Sequence, residues 1–201
     1  MSYSNFTLKD VKSQLGVLLI EKNNLFSDVE EMEISQLLRD VLAENVPLAS
    51  AINTEKARSE LIIANILVEV RKIFQHKISL FSGIEFNVDK ENDLNGFCDF
   101  IVSASPEQLM LNAPIVTIVE AKNENIIGGL GQCIAEMVAA DIFNNNENNG
   151  IERVYGVVTT GTAWKFLKLE ENKAFVDLDE YYIDMPGKII GILSKMVEQN
   201  I

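Results

Sequence analysis

The sequence predicts an α/β fold: a mixed β-sheet flanked by helices. Three observations predict it. Short runs rich in β-branched and aromatic residues, Ile78–Phe81, Ile84–Val88, Phe97–Val102 and Ile115–Ala121, follow one another closely, as the strands of an antiparallel meander do. A helical stretch from about Gly129 to Phe143 then separates Ile115–Ala121 from Val154–Thr159, which is the strand–helix–strand order of a parallel crossover. Helical patterns precede and follow this block and supply cover for the sheet faces.

The elements can be justified in order. Residues 1–52 read as an amino-terminal helical or mixed extension. Within it Ser35–Glu44 spaces Leu37, Leu38, Val41 and Leu42 as a helix, and Pro47 is expected to close the segment. The core is expected over residues 53–201, the whole forming one compact domain. Asn53 or Thr54 caps a helix running to about Phe74, with Glu55 in the first turn where the helix dipole favours an anion. Past the crossover helix, Asn144–Gly150 (NNNENNG) reads as an exposed loop, because Asn and Gly favour turns. Trp164–Leu169 and Phe175–Leu178 read as strands, and a closing helix follows Pro186.

Composition narrows the function. The 201 residues are 47% hydrophobic and 23% charged, an ordinary globular mixture. No apolar run approaches the roughly 20 residues of a membrane span, and no cationic segment leads into an apolar one at the start. Two cysteines, Cys98 and Cys133, cannot build a disulfide framework, and a lone His76 cannot anchor a histidine zinc site. These features predict a soluble, cytoplasmic protein with no membrane partner. Thirty acidic against 17 basic residues give a net charge of −13. Nucleic-acid affinity rests largely on Lys and Arg displacing counterions from phosphates, so this balance argues against tight binding by the isolated domain.

Three positions break the local pattern. At 100° per residue, Glu60 falls in the middle of the apolar arc formed by Ala57, Ile63, Ala64, Leu67, Val68 and Phe74, where a carboxylate is costly. The structural alternative is an ion pair with Lys56. Asp99 interrupts the strand Gly96–Val102, sharing a face with Phe97 and Ile101 while Cys98 points the other way as an apolar filler. Glu120 and Lys122 end the buried run IVTIVEAK on one face, about 7 Å apart along the strand, a spacing that a simple salt bridge also satisfies. Taken together, Asp99 and Glu120 on adjacent strands suit a hard, oxygen-loving cation such as Mg²⁺. Lys122 beside them suits holding a water or stabilising developing negative charge, with Glu60 entering from the helix. That set suits phosphodiester hydrolysis.

The same residues carry a resemblance. Glu60 on a helix, Asp99 on a strand, and Glu120-Ala121-Lys122 on the next strand resemble the PD-(D/E)xK phosphodiesterase superfamily, with its restriction-endonuclease-like fold. Gln132, in GLGQCIAEM, matches the Gln often found on the following helix, and GVVTTGTAWKFLKL (156–169) is similar to the closing strands of the amino-terminal nuclease domain of type I restriction subunits. The likeness covers about residues 53–170, and the chain looks like a stand-alone bacterial relative. It departs from the motif at Cys98, which stands where the family name has Pro.

The resemblance implies an endonuclease-like hydrolase acting on DNA more than RNA, with Mg²⁺ as cofactor and Mn²⁺ as its substitute. Asp99 and Glu120 would ligate the metal together with the backbone carbonyl of Ala121. Lys122 would position the attacking water or stabilise the transition state. Glu60 would hold a second metal or a water, and Gln132 would orient a ligand or the substrate backbone. The acidic total implies help from a homodimer or a basic protein partner. The alternative is a catalytically silent domain of the same fold serving as a partner-binding or regulatory module.

Remaining candidates are weaker. Gly128, Gly129 and Gly131 lack the Lys-Ser/Thr of a P-loop and the dinucleotide spacing, and read as a strand-to-helix turn. Glu136, one turn beyond Gln132, reads as a solvated helix residue. Trp164, Lys165 and Lys168 offer stacking and charge to a nucleic acid, although a single Trp is more often core.

Overall fold

The computed structural model describes residues 2–200. Eight strands form one open mixed sheet: β1 (Leu18–Asn23), β2 (Ser79–Glu85), β3 (Phe97–Ser103), β4 (Ile115–Ala121), β5 (Arg153–Thr159), β6 (Ala163–Glu170), β7 (Lys173–Asp177) and β8 (Tyr181–Tyr182). Their order across the sheet is β1-β7-β6-β5-β4-β3-β2, with β8 added beside β6. Only β1–β7 and β4–β5 run parallel. The expected α/β architecture is therefore present. β4 is buried along its whole length, which is why its sequence is a near-continuous apolar run rather than an alternating one.

Helices cover both faces. On one side α5 (Ile126–Asn146) lies across β4 and β5. It is long and apolar enough to pass for a membrane span, and its apolarity here serves the core in which most of it is buried. The short α1 (Leu8–Gln14), closed by a Thr7–Asp10 capping box, packs on α5. A Cβ at Gly131 would collide with the Phe6 carbonyl, so glycine permits that crossing. The opposite face is covered by α2 (Gln36–Ile52), by α6 (Pro186–Glu198) and by one continuous helix. That helix consists of α3 (Glu55–Arg58), a π-helical turn at Ser59–Ile63 and α4 (Ala64–Ile73). Residues 2–52 thus contribute a sheet strand and pieces of both helical layers.

Three expectations are corrected. Pro47 lies inside α2 and does not close it. Its missing N–H leaves the Ala43 carbonyl without an intrahelical donor, but both residues are exposed and water can serve that carbonyl. The run Ile78–Phe81 and the start of Ile84–Val88 merge into the single strand β2, bridged through Gly83, whose φ of +61° suits glycine, while Phe86–Val88 lie beyond its end. The NNNENNG stretch begins as helix rather than loop, and Asn144 is buried, bonding through its side-chain amide to both the N–H and the carbonyl of Ile115.

Candidate active site

The site begins where β3 and β4 part. The antiparallel register pairs Phe100 with Val119 and Ile101 with Ile118, so one further step sets Asp99 against Glu120. There the ladder ends, and the Asp99 Oδ2 accepts the Ala121 N–H at 2.8 Å in place of a backbone carbonyl. Strand alternation fails at the same point. Cys98, expected to face away with Phe100, instead joins Ile101 and Ile118 in the core beneath α5, whereas Phe100 packs in the opposite core.

Glu120 and Lys122 share the α5 side of β4, as their spacing predicts. Lys122 Nζ donates to Glu120 Oε1 at 2.5 Å and to Gln132 Oε1 at 3.1 Å. Gln132 Nε2 in turn donates to Glu136 Oε1 at 3.0 Å. The room for Lys122 comes from Gly129: a Cβ there would lie 2.8 Å from Val158 Cγ1 and 3.0 Å from both Cγ and Cε of Lys122. These glycines stand within the first turns of α5, whose N-cap Asn125 accepts the Gly128 N–H, and they form no phosphate loop.

Negative charge is in excess here. Glu120 is 2% exposed and its Oε2 has no hydrogen-bond partner. Burial, reinforced by Asp99 and opposed by Lys122, pushes the Glu120 carboxyl up to about 8. Burial likewise raises Asp99, against the pull of the Ala121 N–H, of Lys122 and of a side-chain hydrogen bond with Glu120. Burial alone would lower Lys122, but contact with Glu120 more than offsets it and holds the ammonium above its usual range. Glu136, expected as a solvated residue, is fully buried with an unpartnered Oε2, and burial raises it strongly.

Glu60 is not turned into the core. Its side chain is 61% accessible and pairs with Lys56 at 3.0 Å. The π-helical turn carries more residues per turn than the 100° wheel assumes, so Ile62 and Ile63 take the buried positions. Glu60 still borders the site: with Glu55, Lys56, Ser59, Ser82, Gly83, Asp99 and Ala121 it lines a groove of about 270 Å³. Glu55 also acts on the buried charges, raising both Glu120 and Lys122. In the sequence Glu55 shows only a helix-dipole role. The Thr54 cap that sets α3 against the strand ends was its available signal.

Among the described residues no three His, Cys, Asp or Glu side chains form a ready-made metal cage. Mg²⁺ needs fewer protein ligands, since it keeps several waters and takes one or two carboxylates. Asp99 and Ala121 line the groove, and Glu120, opposite Asp99 in the β3–β4 register but buried outside the groove lining, supplies the second carboxylate, so the donor set fits. The unpartnered Oε2 of Glu120 is consistent with that fit. Trp164 takes no part: it is fully buried, and its Nε1 donates to Gly161 O at 2.9 Å. Lys165 is buried with its Nζ on the Leu178 carbonyl, and Lys168 is held by Glu170 and the Phe175 ring.

No protein-family model matches the sequence, and no curated protein is significantly similar to it.

Proposed function

We propose that this chain is a metal-dependent phosphodiester hydrolase of endonuclease type, acting on DNA in preference to RNA. The observation that supports it most is the buried Glu120 carboxyl with one bare oxygen, joined to Lys122 and set against Asp99, which itself lines an open groove. Among the chain's residues, Asp99, Glu120 and the Ala121 carbonyl would hold Mg²⁺, or Mn²⁺ in its place. The ion when bound supplies neutralisation of phosphate charge and a more acidic water. Lys122 carries a fixed positive charge into the region where the phosphorane develops negative charge, and stabilises it. Gln132 restrains Lys122, and Glu60 on the groove rim receives a second ion or a water. The resemblance of Glu60, Asp99, Glu120-Ala121-Lys122 and Gln132 to the PD-(D/E)xK pattern, with a restriction-endonuclease-like reading of the mixed sheet, supports the same assignment.

A second reading has its own observation. The groove rim is acidic on a chain of net charge −13, and Lys122 is already satisfied by Glu120 and Gln132. A catalytically silent module that binds a partner protein would tolerate both features, as would a nuclease that engages DNA as a homodimer or through a basic partner.

Incubation with plasmid, single-stranded DNA and RNA in Mg²⁺ or Mn²⁺ separates the two. Cleavage by the wild type that is lost in Asp99→Asn and Lys122→Met supports the hydrolase. No cleavage under any condition, with no divalent-ion binding by calorimetry, supports the silent module.

A further inference from the structure

We propose that Glu136 is the positioning residue of this site, fixing the Gln132 amide so that the Lys122 ammonium is held beside Glu120 with its one uncommitted proton in a set direction. The inference rests on the hydrolytic reading above for its catalytic meaning, and on geometry alone for the positioning.

An ammonium carries three donors. On Lys122 one goes to Glu120 Oε1 and one to Gln132 Oε1, and no third acceptor is present among the described residues. Two fixed bonds stop rotation about the terminal C–N bond, so the third N–H has a defined direction. The Lys122 side chain is 23% accessible, so a substrate or water can reach it.

The weak point of such an arrangement is the amide. A Gln turned by 180° would present its NH₂ to the ammonium, donor against donor, and release Lys122. Glu136 removes that freedom. Its Oε1 accepts from Gln132 Nε2 at 3.0 Å, which favours the orientation that leaves Gln132 Oε1 for Lys122. Gln132 and Glu136 stand four residues apart on α5, the spacing that stacks side chains on one face. Burial of Glu136 excludes water as a substitute acceptor. A carboxyl group deep under a sheet, with one oxygen unpartnered, has no evident value to the core and is accounted for by this task. Outer partners of this kind typically change activity by 10–100-fold when removed.

The test uses Glu136→Met, which fills the space without an acceptor, and Glu136→Gln, which keeps an oxygen in the same place. In the wild type, the ¹⁵N-resolved NMR signal of the Gln132 side-chain amide, assigned through Gln132→Met, is expected to exchange slowly with solvent. Slow exchange should be lost in Glu136→Met and kept in Glu136→Gln. Plasmid cleavage should lose about tenfold in kcat at unchanged KM in Glu136→Met, with Glu136→Gln returning to within about threefold of wild type. A Gln132 amide that exchanges freely in the wild type, or that is indifferent to Glu136→Met, overturns the proposal. So does a kcat that falls equally in both variants. If Glu136→Met does not fold, the wild-type and Glu136→Gln exchange rates decide alone. A protected amide in a wild type that cleaves nothing upholds the positioning and removes the hydrolytic reading instead.

Discussion

Asn144 plugs the start of β4: its Oδ1 accepts the Ile115 N–H and its Nδ2 donates to the Ile115 carbonyl, each at 2.7 Å. One side chain at the end of α5 thereby satisfies both backbone groups of the residue that opens the central strand. Asn144→Ala would orphan a buried donor and a buried acceptor, and is expected to cost about 3 kcal/mol. Asn144→Asp keeps the acceptor but sets an oxygen against the Ile115 carbonyl, and should lose nearly as much. Urea denaturation of the three proteins checks this.

Gly129 is expected to resist substitution for a steric reason. Gly129→Ala would crowd Val158 at 2.8 Å and the Lys122 stem at 3.0 Å. Overpacking of this kind costs about 1–3 kcal/mol. Because Lys122 is the softer neighbour, its ammonium should be displaced, so cleavage should fall by more than the loss of stability explains. Thermal melts and kcat measured together check it.

Asp99 and Glu60 should separate sharply despite bordering one groove. Glu60 is an exposed partner of Lys56, and Glu60→Ala should change stability by less than about 1 kcal/mol. Asp99→Ala removes the acceptor of the Ala121 N–H and should cost about 1–3 kcal/mol. Asp99→Asn retains an acceptor oxygen and should stay within about 1 kcal/mol of the wild type while losing metal-dependent cleavage. Chemical denaturation alongside the plasmid assay distinguishes the three.

The pH dependence follows from Glu120. Its carboxyl rises from 4.5 to about 8 on folding, through burial and then Asp99. The folded chain therefore holds a proton that the unfolded chain has released over this interval. The stabilisation is complete below the unfolded value and is lost as pH climbs through the folded one. Without divalent ions the Tm should fall between about pH 4.5 and 8, and Glu120→Gln should shrink that fall. Saturating Mn²⁺, which competes with the proton for the same oxygens, should oppose it at the alkaline end. Scanning calorimetry across the range checks the sign.

The strands of the crossover were legible because β-branched runs bounded by turn residues have few other uses, and β4 showed itself by excess apolarity. Glu120 and Lys122 were legible from a period of two, which holds to the end of a regular strand. Glu60 was misplaced because a wheel with fixed 100° steps contains no π-turn, and nothing in SELII announces one. Cys98 is the buried apolar filler expected, but it and Phe100 pack in opposite cores, a departure from strand alternation that a fixed period of two does not contain. Glu136 was taken as solvated although α5 has almost no polar face, and that lack was the overlooked signal. Asn144 was hidden in a polar tract, where composition speaks for a loop and only the tertiary partner, Ile115, shows otherwise.

The parallel pairing of β1 with β7 has a consequence for biosynthesis. Leu18 sits beside Lys173, so a chain emerging from the ribosome must carry β1 unmatched until β7 has been translated. That late closure makes the final seam a slow, long-range event. Deleting residues 2–23 would leave β7 as a naked border, its Ala174 and Val176 beside open backbone amides, and invite stacking between molecules.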